Sequence, residues 1–181
     1  LELNQRINKD YMKIIFLDID GVLNHEAFYK ERHERRDEEG AWEHPYSEID
    51  SKSVSILNNL CDETGAKIVI SSTWRHSGLE YCKDALEKMG FTGEIIDITP
   101  SHESRFRGLE ILDWVKSNEE LIGERYYNFT EYVILDDDSD MLYWQRNNFL
   151  LIDRFVGLTM GNVFQAKKIL NGGKILNDER L

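Results

Sequence analysis

Four short runs of this chain are apolar at every position and stop abruptly at residues with polar chemistry. Ile14 to Leu17 stops at Asp18, Ile68-Val69-Ile70 at Ser71-Ser72, Tyr132 to Leu135 at Asp136, and Phe149 to Ile152 at Asp153. Short runs without alternation, rich in β-branched and aromatic side chains, read as strands covered on both faces, as in a parallel sheet. Between them the pattern turns helical. Val54, Leu57, Leu60 and Cys61 stop at Gly65, Leu79, Cys82, Leu86 and Met89 stop at Gly90, and Leu109, Leu112 and Val115 make a third stripe. A last helix is predicted near Asn162 to Leu170, with Asn162 as its N-cap and Gly172 beyond its end. The alternation predicts an α/β fold, a Rossmann-like parallel sheet with helices on both faces. Ligands of such sheets bind outside the carboxyl ends of the strands, where three of these four runs present candidate chemistry.

Residues 12–181 read as one domain, without an internal repeat or a Gly/Ser/Pro-rich linker. A charged insertion at 24–48 stands outside the alternation. Its pairs Lys30/Glu34 and Glu31/Arg35 are spaced i,i+4, which suits a solvated helical or loop face; the functional alternative is a small lid. Residues 1–11 are polar and mixed in charge, read as a short upstream extension or remnant, and show no secretory signal.

Composition narrows the class. The chain has 181 residues, 41% of them hydrophobic, and 22 Lys+Arg against 34 Asp+Glu give a net charge of −12. A chain of this size buries roughly 70% of its unfolded surface, enough for a self-sufficient core. No apolar run approaches the roughly 20 residues that span a bilayer, so no membrane association is expected. Cys61 and Cys82 lack ligand spacing and read as reduced core thiols of a cytoplasmic protein. The acidity disfavours sequence-independent nucleic-acid binding, although a cleft holding a divalent cation escapes that average.

The strand ends hold the candidate chemistry. Asp18-Ile19-Asp20-Gly21 pairs two carboxylates at a turn that Gly21 permits; one can attack an electrophile while the other moves a proton. The bland alternative is a turn or capping pair. Asp136-Asp137-Asp138-Ser139-Asp140 places four carboxylates within five residues, which repel unless a hard cation sits among them, and oxygen ligands suit Mg2+. The alternative there is a surface turn in which Asp138 or Ser139 caps a helix from about Asp140 to Arg146. A Ca2+ loop is excluded, because Met141 stands where the loop needs Gly and Asn147 where it needs Glu. Ser71-Ser72-Thr73-Trp74-Arg75 offers hydroxyls and backbone N–H groups for a phosphate, with Arg75 as reinforcement. Arg107-Gly108 offers a cation beside a helix N-terminus. Each of these two is weak alone.

Together, Asp18-x-Asp20-Gly21-Val22, the strand ending at Ser71, the basic Arg107 and Leu135-Asp136-Asp137 resemble the four motifs of the haloacid dehalogenase (HAD) superfamily, in order and spacing. The resemblance implies a Mg2+-dependent phosphatase. Asp18 would be the nucleophile that forms an aspartyl-phosphate, and Asp20 the acid that protonates the leaving oxygen and then activates water. Ser71 or Ser72, with Arg107, would hold the phosphoryl oxygens; Asp18, the backbone carbonyl of Asp20, and Asp136 or Asp137 would hold Mg2+. Arg107 stands where Lys is commoner, and Arg105 is a neighbouring candidate.

There is no room for a full cap domain, so the chain resembles a nearly capless member, open to small phosphoesters or phosphorylated polymer ends. Ser72-Thr73-Trp74-Arg75, Arg107 to Ile111 and Gly157-Leu158-Thr159 are similar to HAD domains found alongside RNA-repair activities. The expected partner is therefore a phosphorylated substrate, a small molecule or a nucleic-acid end, with no obligate protein partner. Arg32, Arg35 and Arg36, with Trp42 and Tyr46, could meet nucleic acid, although acidic neighbours from Glu31 to Glu39 offset their charge. The remaining alternative is a non-catalytic module that binds Mg2+ and phosphate.

Overall fold

The structure, a computed structural model, describes residues 12–39, 48–122 and 131–172. Its strands are β1 (Ile14–Leu17), β2 (Lys67–Ile70), β3 (Ile95–Ile98), β4 (Tyr132–Asp136) and β5 (Phe149–Leu151). They form one sheet in the order β3-β2-β1-β4-β5, and every pairing is parallel. The helices are α1 (Glu26–Glu39), α2 (Ser51–Thr64), α3 (Leu79–Lys88), α4 (Arg107–Ser117), the short α5 (Glu119–Ile122) and α6 (Met160–Leu170). This is the α/β Rossmann-like architecture that the alternation predicts.

Because successive side chains of a strand point to opposite faces, each buried strand feeds two cores. Ile15, Leu17, Ile68, Ile70, Val133 and Leu135 pack with the apolar stripes of α2, α3 and α6. Ile14, Phe16, Val69, Tyr132 and Ile134 pack on the other face against Ile111, Trp114 and Val115 of α4 and Ile122 of α5. The Phe16 ring meets Trp114 and Tyr132 edge-on, with centroids 5.4 and 5.7 Å away. Helices on both faces explain why the strands are unbroken apolar runs.

Register then fixes what stands at the open end of the sheet. Leu17 pairs with Ile70 on one side and Leu135 on the other. The ladder continues one step further, with Asp18 N–H donating to the Leu135 carbonyl at 3.0 Å and Ser71 N–H to the Leu17 carbonyl at 2.9 Å. Ser71, Asp18 and Asp136 therefore form a row across three neighbouring strands, and their parity turns all three toward the α4 face.

Two sequence expectations need correction. The N-cap of α6 is Thr159, not Asn162: Thr159 Oγ1 accepts from the Asn162 N–H at 3.2 Å, while Asn162 Oδ1 folds back to accept from the Thr159 N–H at 2.9 Å. Asn162 is the third residue of a capping box, which the apolar period, starting only at Val163, does not reveal. The helix expected from Asp140 to Arg146 is a 3-10 turn at Tyr143–Asn147. Its Gln145 side chain bonds Leu142 N–H and the Gly108 carbonyl, pinning the segment against the start of α4 in a tighter geometry. Both cysteines are buried and unpaired, and burial pushes their thiols up to about 12 at Cys61 and about 11 at Cys82. Among the described residues no helix is long and apolar enough to cross a membrane.

Thr159→Ala is expected to lower stability by about 1 kcal/mol, the usual loss of an N-cap, read as a shifted urea midpoint with unchanged slope.

Candidate active site

The turn after β1 is built on one carbonyl. Ile19 O accepts from the N–H groups of Val22, Leu23 and Asn24 at 3.2, 2.8 and 3.2 Å. Gly21 takes φ +78°, and a Cβ there would strike the carboxylate of Asp137. Glycine is thus required both for the turn and for the closeness of Asp137.

Behind this turn, Asp18, Asp136 and Asp137 each offer an oxygen within 4.8 Å of one another. Asp18 and Asp136 are 5% and 1% exposed, so their charges have lost most of their hydration. Burial pushes Asp18 up to about 6, against the lowering effect of Arg107 and of hydrogen bonds from Ser72 and Ile19. Burial, and then the charge of Asp18, push Asp136 up to about 8. Arg107 leans over both, with Nη2 3.7 Å from Asp18 Oδ1 and Nε 3.3 Å from Asp136 Oδ2. Asp137 is held from outside by Arg154, whose Nη2 and Nε donate to Oδ2 at 2.6 and 3.0 Å.

Three buried polar atoms of this group lack a hydrogen-bond partner: Asp136 Oδ2, Arg107 Nη1 and Ser71 Oγ. Such atoms are few in folded proteins, and three of them meeting at one cluster of acids is an arrangement that a bound ion or anion would satisfy. An oxygen-only set of crowded carboxylates fits a hard divalent cation such as Mg2+, and a guanidinium beside a hydroxyl fits an oxyanion. The donor set therefore suits both a divalent metal and a phosphoryl group.

The sequence candidates divide as follows. Ser71, Asp18, Asp136, Asp137 and Arg107 converge. Ser72 is also close: its hydroxyl bonds Asp18, while its oxygen caps the 3-10 turn Thr73–Ser77 by accepting from the Trp74 N–H. Asp20 is exposed and its carboxylate is outside the acidic cluster, accepting from Asn24 Nδ2 at 2.8 Å and from Trp74 Nε1 at 3.1 and 3.2 Å. Arg105 is exposed, at φ 53°, and of these two candidates it is Arg107 that reaches Asp18 and Asp136.

Arg75 is not the phosphate ligand its position suggested. It is buried, donates through Nη1 to the carbonyls of Ser71 and Ser72 at 2.7 and 2.8 Å, and pairs through Nη2 with Glu110 at 2.6 Å. Its role is to fasten the serine loop to α4. Asp140 also departs from expectation, capping α4 rather than opening a helix: its carboxylate accepts from Arg107 N–H at 2.9 Å and its carbonyl from Gly108 N–H at 3.1 Å. Gly108 permits that seat, since a Cβ would lie 2.6 Å from Leu142 N and 2.7 Å from Gln145 Oε1.

The charged insertion contains α1, whose first N–H groups, at Glu26 and Ala27, donate to the Arg154 and Phe155 carbonyls. Glu31 reaches Lys52 of α2 at 3.5 Å. Tyr29 of α1 is pushed up to about 12 by burial, then by Glu48 and Asp20, so this helix flanks the acid turn. Arg32 lies over Phe28; the side chains of Arg35 and Arg36, and Trp42 and Tyr46, are outside the described residues.

The model of the HAD domain in Swiss Army Knife RNA repair proteins matches residues 14–163. The chain belongs to this HAD family. The matched span runs from the first residue of β1 into α6 and takes in the whole row of Ser71, Asp18 and Asp136 with Arg107 above it. Comparison with curated proteins gave no match, nor did comparison with solved structures.

Two outcomes test this geometry. Raised carboxyl values mean that the native domain binds more protons than the unfolded chain, so stability is full below about pH 4 at these groups and falls as pH rises through about 6 and 8. In EDTA the melting temperature should therefore carry a downward contribution between pH 6 and 8 that Asp136→Asn or excess divalent cation removes; equal slopes in all three would contradict it. Glu110→Ala leaves Arg75 buried and unpaired and should lower unfolding free energy by about 3–5 kcal/mol, read by denaturant melts.

Proposed function

We propose that this HAD domain is a Mg2+-dependent phosphatase that hydrolyses phosphomonoesters through an aspartyl-phosphate on Asp18. The observation that carries the reading is the row of Ser71, Asp18 and Asp136 under Arg107. It places a buried carboxylate beside an unpartnered hydroxyl and an unpartnered guanidinium N–H.

Arg107 and Ser71, with Ser72 beside them, bind the phosphoryl oxygens. An Asp18 oxygen attacks phosphorus as the ester oxygen departs, and Asp20 gives that oxygen its proton. Asp20, now a carboxylate, takes a proton from water, the resulting hydroxyl attacks the acyl-phosphate, and inorganic phosphate leaves with Asp18 restored. Two like charges about 4 Å apart at an effective dielectric of about 20 repel by about 4 kcal/mol, so attack on a phosphate dianion needs opposing charge. Arg107 supplies one part of it. Mg2+ held by Asp18, Asp136, Asp137 and the Asp20 carbonyl would supply the rest by neutralising charge between carboxylate and phosphate.

The family's association with RNA repair proteins favours a phosphorylated nucleic-acid end as substrate, and a 3'-phosphate is the end we take as the test case. The reduced cysteines suit a cytoplasmic setting for such work.

Phosphate release from an aryl phosphate and from a 3'-phosphorylated oligoribonucleotide, with Mg2+ or EDTA, tests both levels. Wild type should turn over with Mg2+ alone, Asp18→Asn should fall to background, and Asp20→Asn should lose about 10²- to 10⁴-fold in kcat on the oligonucleotide. Higher kcat/KM on the oligonucleotide supports the RNA-end reading, and the reverse supports a small phosphoester. No turnover of either substrate by wild type would favour the non-catalytic module.

A further inference from the structure

Asp20 is exposed, and an exposed carboxylate ordinarily samples several rotamers. Here it is held from two directions. Asn24 Nδ2 donates to Oδ1 at 2.8 Å, and the Trp74 indole N–H straddles the carboxylate at 3.1 Å from Oδ1 and 3.2 Å from Oδ2. Asn24 is itself locked, 2% exposed, with its Oδ1 accepting from Gly21 N–H at 2.9 Å. Trp74 is fixed at both ends. Its backbone N–H bonds Ser72 Oγ, and its ring packs on the core beside Tyr81, with centroids 6.2 Å apart.

We propose that Trp74 is a positioning residue that aims the Asp20 carboxylate at the leaving-group oxygen. The inference rests on the phosphatase reading and deepens it. Each carboxylate oxygen has about two acceptor sites, so a straddling indole N–H and one amide still leave Oδ2 a lone pair for the transferred proton. Trp74 lies in the same 3-10 turn that Ser72 caps and Arg75 fastens. One short segment therefore sets both the serines that face Asp18 and the direction of the acid. An acid fixed in advance does not spend part of each encounter in an unproductive rotamer.

Trp74→Phe keeps the ring's bulk in the core and removes the N–H. The informative quantity is kcat/KM, which reports the steps through phosphoryl transfer to Asp18, where Asp20 gives up its proton. A nucleoside 3'-phosphate, whose alkoxide must be protonated, should lose at least about tenfold more than 2,4-dinitrophenyl phosphate, part of the about 10²- to 10⁴-fold that general acid catalysis supplies. In an Asp20→Asn background the same substitution should add no further selective loss. An equal loss on both substrates, or none, would overturn the role.

A second readout stands apart from turnover. The indole N–H resonance of Trp74, identified by its disappearance in Trp74→Phe, should move in Asp20→Asn; a resonance that stays in place overturns the contact and the proposal with it. If it moves while wild type hydrolyses neither substrate, the phosphatase reading has failed, and the catalytic role of Trp74 falls with it although the contact is real.

Discussion

The buried ion pair between Arg75 and Glu110 is the constraint on which the cleft depends. Both side chains are about 5% exposed, so their charges are tolerable only because the guanidinium also donates to the carbonyls of Ser71 and Ser72. Arg75 belongs to the turn after β2, and Glu110 lies on the helix that begins with Arg107. The pair therefore fixes the distance between the serine loop and the arginine that leans over Asp18. A hydrophobic pair of similar volume could join helix to sheet there, but it would leave the two serine carbonyls without their donor.

On the opposite side, the cleft is closed by the loop after β4. Asp140 caps the same helix that Glu110 anchors, and Gln145 bonds its Gly108 carbonyl. The start of α4 is thus held from both flanking strands, and Arg107 has little freedom. Inside that frame, Asp136 Oδ2, Arg107 Nη1 and Ser71 Oγ are left without hydrogen-bond partners. A rigid frame around unsatisfied groups is the arrangement expected of a preorganised site.

The sheet was legible because burial on both faces leaves an unmistakable mark, runs such as Ile14 to Leu17 and Tyr132 to Leu135 with no polar position. The row of site residues was legible because each of those runs ends in its functional group. Register was not: choosing between Ser71 and Ser72, or Asp136 and Asp137, requires knowing which residues pair with Leu17. Parity puts Ser71 and Asp136 in the row, yet Ser72 bonds Asp18 and Asp137 joins the acids from the loop. The supporting residues were least visible. Glu110 and Asp140 act on partners distant in sequence, and nothing in a one-dimensional pattern separates a buried Glu on a helix from a solvated one. Arg75 read as a phosphate contact because it follows the serines at a strand's end, and Trp74 gave no signal of its contact with Asp20.

The placement of β1 shapes how the chain reaches this state. Among the described strands it is the first in sequence and the central one, so Ile14 must wait for Lys67 on one edge and for Tyr132 on the other. At translation rates of about 5–20 residues per second, the second edge stays open for on the order of ten seconds. Through that interval an entirely apolar strand has one bare row of backbone donors and acceptors, an invitation to pair with another chain. The same delay keeps Asp18 apart from Asp136 and Asp137, so a half-made polypeptide has neither the crowded acids nor a cation site. Hydrolytic competence, on the proposed reading, arrives only when the sheet closes.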